Sequence, residues 1–250
     1  MKKIVELKDV YFSYDGVPVL SGINLDIEKK DIMAVIGPNG GGKTTLLKII
    51  LGLIKPAQGK VLVFGKRPEE GRKRIGYLPQ NPDIDLGFPM SVYGTALMGR
   101  YKGPLRRYNN ADREAVYEAL ELVGMKKMAG RHISMLSGGQ LQRVLIARAI
   151  ARKPELLLMD EPLSNIDAGT QKSVYELFLR LGKKMSVVFV THDISAISSY
   201  VEKVACLNRK LYYHGPKEGS LGRLEGAYGC PIEMIAHGVP HRVLKSHTGD

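Results

Sequence analysis

Long apolar runs and cysteine are scarce in this chain, and each scarcity excludes a class of protein. No stretch approaches the roughly 18 consecutive apolar residues of a membrane-spanning helix, so the chain is not expected to cross a bilayer by itself. Glu6, Lys8 and Asp9 interrupt any apolar segment near the start, which argues against a secretion signal. Two cysteines, Cys206 and Cys230, fit a reducing compartment, and the sequence predicts a cytoplasmic protein.

Acidic residues are also in short supply, with 25 Asp and Glu against 37 Lys and Arg and a formal net charge of +12. Such a charge favours an acidic partner: nucleic acid, anionic lipid headgroups or a bound triphosphate. The basic residues are dispersed and are not interleaved with aromatic rings, as they would be on a base-stacking surface. Charge by itself leaves the three partners open.

What the chain does have is a glycine-rich stretch between two apolar runs. Its residues are Gly37, Pro38, Asn39, Gly40, Gly41, Gly42, Lys43, Thr44 and Thr45. The run before it, 32–36, is predicted to be a strand, and the run after it, 46–51, a helix. The pattern Gly, four residues, Gly-Lys-Thr in this setting is that of a phosphate-binding loop.

Each residue type in this loop suits a nucleoside triphosphate. Glycines allow successive N–H groups to converge on phosphate oxygens, and a helix beginning near Gly42 adds partial positive charge. Lys43 can reach the outer phosphates, while the Thr44 hydroxyl can ligate the Mg²⁺ that bridges them. The loop therefore predicts a triphosphate accompanied by Mg²⁺.

Alternating apolar and polar residues over 1–30 predict antiparallel strands around a turn at Tyr14, Asp15 and Gly16. Two interpretations of Tyr14 stay open. It is either an aromatic residue that ends a strand or a platform on which a purine ring stacks.

The remaining apolar segments predict an α/β fold with a mainly parallel sheet, because strands and helices alternate. Proline-rich turns and two helices, over 92–98 and 112–123, interrupt this alternation. The predicted strands cover 61–64, 75–78, 156–159 and 187–190, and the further helices cover 137–152, 169–181 and a short segment from Ile194. We interpret 1–250 as one domain with an antiparallel part at 1–30, a core at 31–80 and 137–205, a helical insertion at 81–136 and a C-terminal extension at 206–250.

Polar side chains follow three of the predicted strands. Asp160 and Glu161 end an apolar run, where open parallel sheets place their ligands. Asp160 suits Mg²⁺, and Glu161 suits a general base that activates water. His192 can bond a terminal phosphate oxygen, and Gln80 can contact Mg²⁺ or water, although a lone histidine at such a position is more often structural.

A second anion site is predicted at the start of another helix. Ser137 precedes Gly138 and Gly139, so a capping hydroxyl is followed by exposed N–H groups. Gln140 completes this string.

In these residues the chain resembles the ATP-binding subunit of an ABC transporter. The matching positions, in the family's order, are Tyr14, the loop from Gly37 to Thr45, Gln80, the string from Leu136 to Arg143, the run from Leu156 to Glu161, Asp167 and His192. The resemblance implies a P-loop ATPase that pairs head to tail as a homodimer. Each ATP would lie between one copy's phosphate loop and the Ser137, Gly139 and Gln140 of the other. The Gln80 loop and the segment Phe88 to Tyr101 of the helical insertion would pass the motion to a membrane permease. The subunit would lie on the cytoplasmic face of the membrane.

A narrower similarity links the chain to the ATPases of zinc, manganese or iron uptake systems. It rests on the segment from Gly87 to Tyr101 and on the tail from Cys230 to His241. It implies metal import, a metal-binding protein outside the cytoplasm and no nucleic-acid partner. Asn165-Ile166 departs from the family's usual Ala-Leu, which should alter a dimer contact without removing Asp167.

Two alternatives use the same ATPase without metal import: a cytoplasmic iron–sulfur assembly ATPase and a nucleic-acid-associated ATPase. The second needs a long coiled coil, for which the segment between Gln80 and Leu136 is too short.

In the tail, Cys230, His237, His241 and His247 are candidate ligands of a regulatory metal, although their spacing matches no established site.

Overall fold

The structure is a computed structural model that describes residues 2–82, 85, 87–164, 166–192 and 200–217. The chain divides into two units, one holding Met1–Gly71 and the chain from Val190 onward, the other holding Arg72–Phe189. The boundaries of these two units differ from those predicted for the helical insertion, 81–136, and the C-terminal extension, 206–250. Both segments therefore remain predictions.

The first unit contains the antiparallel sheet that the opening residues predict. Its strands are β1 (Lys3–Tyr14), β2 (Val17–Glu28) and β4 (Gln58–Val63), in the order β2-β1-β4. Asp15 and Gly16 form the β1–β2 turn with φ values of 47° and 81°, as the right-handed twist of a tight hairpin requires. The antiparallel prediction is confirmed, and the strand predicted at 61–64 begins earlier and pairs with β1.

The first unit also contains parallel strands. Strand β3 (Ile32–Ile36) pairs in parallel with β8 (Lys203–Asn208), and β9 (Lys210–Pro216) pairs antiparallel with β8. All five residues of β3 are buried. Helix α1 (Lys43–Ile50) follows β3, and a short helix, α2 (Pro68–Gly71), follows β4.

The second unit combines helices with parallel strands. Its elements are β5 (Ile75–Leu78), α3 (Val92–Met98), α4 (Asn110–Leu122), α5 (Gly138–Ile150), β6 (Leu156–Asp160) and α6 (Ala168–Gly182). Strands β5 and β6 are parallel, and every residue of β6 is buried. Strand β7 (Ser186–Thr191) leads back into the first unit. The predicted α/β class with mainly parallel pairing is confirmed, whereas the helix predicted from Ile194 lies outside the described residues.

Helix α4 begins earlier than the sequence predicts. The Asn109 side chain accepts a hydrogen bond from the Asp112 N–H at 3.0 Å, and the Asp112 carboxylate accepts one from the Asn109 N–H at 3.1 Å. This capping box makes Asp112 the third helical residue. The prediction of a start at Asp112 was wrong because Asn109 is the better cap.

Two features of the fold relate to the scarcity of long apolar runs and of cysteine in the sequence. Among the described helices, none is long and apolar enough to span a bilayer. Cys206 is buried in β8, and burial raises the pKa of its thiol to about 12. Its thiolate is therefore suppressed, as expected of a cysteine used for packing.

His214 in β9 is buried in a way that disfavours its charged form. Its Nε2 atom is buried without a hydrogen-bond partner. Burial lowers the pKa of His214, and the charge of Lys203 lowers it further, against the smaller opposite effects of Asp26 and Asp31. The folded chain therefore binds this proton less readily than the unfolded chain.

We expect the free energy of unfolding to decrease as the pH falls below about 6.5, the ordinary pKa of histidine. The loss continues until the pH reaches the lowered folded-state pKa of His214. Urea titrations between about pH 7 and 5 measure it, and His214→Gln should flatten this part of the profile. An equal slope in both proteins would contradict the assignment.

Candidate functional site

The phosphate-binding loop connects β3 to α1, as the sequence predicts. The Lys43 ammonium group donates hydrogen bonds to the carbonyl oxygens of Gly37 at 2.9 Å and Pro38 at 2.8 Å. Lys43 is only 5% exposed. The lysine is therefore held against its own loop, at the start of the helix.

Two loop glycines are required by close packing. A Cβ atom at Gly37 would lie 1.8 Å from the carbonyl oxygen of Leu207 in β8. At Gly42, with φ of 92°, it would lie 2.7 Å from the Leu20 side chain and 2.8 Å from the Val19 carbonyl oxygen. The loop is thus built against β2 and β8, and only glycine fits at these positions.

The start of α1 suits an anion. Gly42 is the N-cap residue and adds no side-chain cap, and the first turn of α1 has no acidic residue. First-turn N–H groups have no intrahelical acceptor, and the helix dipole adds positive charge there. Thr44 is half-buried and Thr45 is buried in this turn. The geometry can bind phosphate oxygens through main-chain N–H groups.

Asp160 and Glu161 have different environments although they are adjacent. Asp160, the last residue of β6, is 1% exposed, whereas Glu161 is half-buried and has φ of 44°. This left-handed conformation is uncommon for a residue with a side chain and occurs often at functional sites. Burial, aided by the charge of Asp160, raises the pKa of Tyr77 to about 12, so the phenol stays neutral.

Gln80 and Glu161 are brought together by strand register. Leu78 pairs with Met159 in the parallel ladder of β5 and β6, so residues two positions further on follow neighbouring strands. The Gln80 Nε2 group donates a hydrogen bond to Glu161 Oε2 at 2.7 Å. The amide therefore orients the carboxylate that the sequence predicts to be the general base.

A cavity of about 220 Å³ lies beside this pair. The residues that line it are Gln80, Asn81, Pro82, Gly138, Leu141, Gln142, Leu145, Glu161, Pro162, Ser164 and Ile166. The second unit thus places Gln80 and Glu161 next to the start of α5, which carries the second predicted anion site.

The start of α5 is a capping box. The Ser137 side chain accepts a hydrogen bond from the Gln140 N–H at 3.4 Å, and the Gln140 Oε1 atom accepts one from the Ser137 N–H at 3.1 Å. Both side chains keep donor groups, a hydroxyl and an amide, that can reach an anion. Ser137 and Gly138 are exposed, as an anion site requires.

Gly139 has a packing role that sequence reasoning missed. The residue is buried, and a Cβ atom there would lie 2.2 Å from the Cγ2 atom of Thr170 in α6. The glycine lets α5 and α6 approach closely. A glycine in a helix's first turn looks the same in the sequence whether it faces a ligand or a neighbouring helix.

We expect Gly139→Ala to destabilise the fold by about 1–3 kcal/mol, because the added methyl group overlaps Thr170. Adding Thr170→Ser removes the Cγ2 atom and should restore most of the loss. Thermal unfolding of both single variants and the double variant measures this coupling. Additive effects would show that the two residues do not interact.

Asp167 caps α6. Its Oδ1 atom accepts a hydrogen bond from the Thr170 N–H at 3.0 Å, and hydrogen bonds from Thr170 are the main cause that lowers the pKa of Asp167. The carboxylate is thus kept ionised at the positive end of a helix. The neighbouring departure from the family pattern, Asn165, lies outside the described residues.

Tyr14 and His192 belong to the first unit. Tyr14 ends β1, is 44% exposed and contacts Phe12 edge-on with ring centroids 4.7 Å apart. His192 is exposed and follows β7 directly. The exposed face of Tyr14 leaves both interpretations of this ring open.

The metal prediction for the tail is not tested. Cys230, His237, His241 and His247 all lie outside the described residues. Within the part of the chain that is described, no group of three or more histidine, cysteine or acidic residues could hold a metal ion.

Comparison with known proteins places these features in a family. The family described as "ABC transporter" matches residues 20–164. The manganese transport system ATP-binding protein MntB of Bacillus subtilis is 40% identical over 236 residues, which are 92% of this chain and 94% of that protein. The zinc uptake system ATP-binding protein ZurA of Listeria innocua is 38% identical over 222 residues, 86% of each chain.

A solved structure of an ABC transporter in an inward-facing conformation superposes with a TM-score of 0.82 at 32% identity, over 93% of this chain and 91% of that one. The predicted P-loop ATPase fold is thereby confirmed. The phosphate loop, Gln80, the Ser137 cap and Glu161 all lie within the matched residues. The chain therefore belongs to the ABC transporter family, as an ATP-binding and ATP-hydrolysing subunit.

Proposed function

We propose that this chain powers import of a transition-metal ion, namely zinc, manganese or iron, through a separate membrane permease. The observation that carries the ATP-hydrolysing part of the proposal is the joint presence of an intact phosphate loop and the hydrogen-bonded pair of Gln80 and Glu161. The relatives named above are a manganese and a zinc transport subunit, and each is matched over most of its length. They support a metal as the transported ion.

The residues of the site have separate roles in binding ATP and in hydrolysing it. Lys43 and the first-turn N–H groups of α1 bind the phosphates, with Tyr14 as a platform for adenine. Glu161 accepts the proton of the attacking water, and its hydrogen bond with Gln80 orients the carboxylate. His192 orients the same water or bonds the terminal phosphate.

Mg²⁺ fits the oxygen donors that the sequence assigns to it. These donors are the Thr44 hydroxyl, the Gln80 amide oxygen and the Asp160 carboxylate, and Mg²⁺ prefers such hard oxygen ligands. Asp160 is nearly fully buried at the end of β6, directly before Glu161. When bound, the ion neutralises charge on the phosphates.

The second anion site supports a head-to-tail homodimer. Ser137 caps α5 and is exposed, so it can meet the triphosphate of a second copy. In such a pair the Ser137 hydroxyl, the Gly139 N–H and the Gln140 amide would contact ATP held by the partner's phosphate loop. Binding of ATP would close the pair, and hydrolysis would reopen it.

Exposed apolar side chains support a permease contact on the second unit. Phe88 is 55% exposed, Met98 49% and Tyr101 54%. All three belong to the segment that the family resemblance assigns to the permease. The subunit would thus lie on the cytoplasmic face of the membrane, in a system that also includes an extracytoplasmic metal-binding protein.

Co-purification followed by metal uptake tests the proposal. The tagged chain should isolate an integral membrane permease from detergent-solubilised membranes. Cells with the wild-type chain should accumulate zinc, manganese or iron, and cells with Lys43→Ala should lose uptake of that ion. Recovery of a soluble scaffold protein without a permease would instead support iron–sulfur assembly.

A further inference from the structure

A tight turn between α3 and α4 presents an almost fully exposed leucine. We call residues 101–108 the Leu105 turn. The Arg106 N–H donates a hydrogen bond to the Gly103 carbonyl oxygen at 3.3 Å, and Gly103 has φ of 115°. Pro104 stiffens the turn by fixing its own φ. Leu105, at its tip, is 96% exposed.

The Leu105 turn is braced by a buried carboxylate. Asp112 is 0% exposed, and its Oδ1 atom accepts hydrogen bonds from Arg100 at 2.7 and 2.8 Å. Its Oδ2 atom accepts one from Lys102 at 2.8 Å. Arg152 also donates hydrogen bonds to the carbonyl oxygens of Gly99 and Tyr101. These hydrogen bonds anchor the chain that leads into the turn to Asp112 and Arg152.

The side chains of the Leu105 turn are of the types that favour contact with an anionic lipid surface. Arg106 and Arg107 are exposed beside the leucine, and Tyr101 and Tyr108 are 54% and 38% exposed. No acidic residue occurs between positions 100 and 111. Single exposed leucines are ordinary, but one on a braced turn with arginines and tyrosines combines the residues found at membrane–water interfaces.

We propose that the Leu105 turn touches the membrane surface. Leu105 enters the boundary between headgroups and acyl chains, Arg106 and Arg107 bind anionic headgroups, and Tyr108 lies at headgroup level. The exposed tip of the turn can reach a flat lipid surface, and the net charge of +12 favours a negatively charged one. This contact goes beyond ATP hydrolysis and is independent of the transported ion.

Vesicle sedimentation with the purified full chain tests the contact. The wild-type chain should bind phosphatidylcholine vesicles that contain about 30% phosphatidylglycerol, at about 0.1 M salt, more tightly than pure phosphatidylcholine vesicles. Arg106→Ser with Arg107→Ser should weaken this binding about 30-fold, and Leu105→Ser should weaken it about 10-fold. The ATPase rate of Leu105→Ser should stay unchanged, which shows that the variant folds.

Two matched controls separate the Leu105 turn from general charge and hydrophobicity. Arg72→Ser with Lys73→Ser removes two exposed charges elsewhere, and Leu53→Ser removes a leucine that is 56% exposed. Both should retain wild-type vesicle binding. Equal losses in the controls, or no preference for anionic vesicles, would overturn the proposal. So would a Leu105→Ser chain that binds vesicles normally but no longer isolates a permease, since the turn would then contact protein.

Discussion

Glu161→Gln is expected to bind ATP like the wild-type chain and to hydrolyse it at least about 100-fold more slowly. Glutamine keeps the size of the side chain. It also keeps an oxygen that can accept the hydrogen bond from Gln80, which is 2.7 Å long in the wild-type chain. It cannot accept a proton from water at neutral pH. Nucleotide titration and single-turnover hydrolysis measure binding and chemistry separately.

The matched control for this variant is Glu155→Gln. Glu155 lies just before the same strand, is 45% exposed and pairs with Arg74 on the surface. Surface pairs contribute little, so turnover should remain close to that of the wild-type chain. With ATP present, only Glu161→Gln should accumulate a closed dimer on size-exclusion chromatography. Wild-type hydrolysis by Glu161→Gln would refute its role as the base.

Lys43→Ala is expected to weaken ATP binding at least about 100-fold, because charge-assisted hydrogen bonds to phosphate are each worth about 1.5–3 kcal/mol. The change also removes the donor that holds the Gly37 and Pro38 carbonyl groups. The variant should therefore fail to bind ATP, so that hydrolysis does not begin. Titration with a fluorescent ATP analogue measures the affinity directly.

Lys48→Ala is the control within the same helix. Lys48 is a lysine in the last turn of α1, away from the loop. Its replacement should leave ATP affinity within about twofold, because it removes only a long-range attraction that solvent and salt weaken, and not a charge-assisted hydrogen bond. Equal losses in both variants would show that net charge, and not contact with the phosphates, supports binding.

Strong local patterns made much of the fold predictable. The apolar run before the phosphate loop and the helix after it appear as β3 and α1. Helix α3 covers the predicted range of 92–98. These patterns depend on residues that are neighbours in the sequence, and hydrophobic periodicity reports them directly. The start of α4 was misplaced because Asn109 and Asp112 both suit a helix start, and only their mutual hydrogen bonds decide between them.

Contacts between distant segments were not predictable. Gln80 and Glu161 are 81 positions apart, and their hydrogen bond depends on the register of two parallel strands. The left-handed conformation of Glu161 and the contact of Gly139 with Thr170 likewise leave no mark on the local sequence. In the sequence, Gly138 and Gly139 look equivalent. Only the packing against Thr170 shows that position 139 has no room for a larger side chain.

By itself, the sequence determined that this chain has a phosphate loop, a second capped helix and two carboxylates after a buried strand. Each depends on residue types at short spacing, whose chemistry does not change with the surroundings. Only the tertiary structure decided how Gln80 meets Glu161, why Gly37 must be glycine beside Leu207, and how Asp112 braces the turn at Leu105. These features require segments that are far apart in the sequence to come into contact. The energies that bring such segments together are summed over the whole fold.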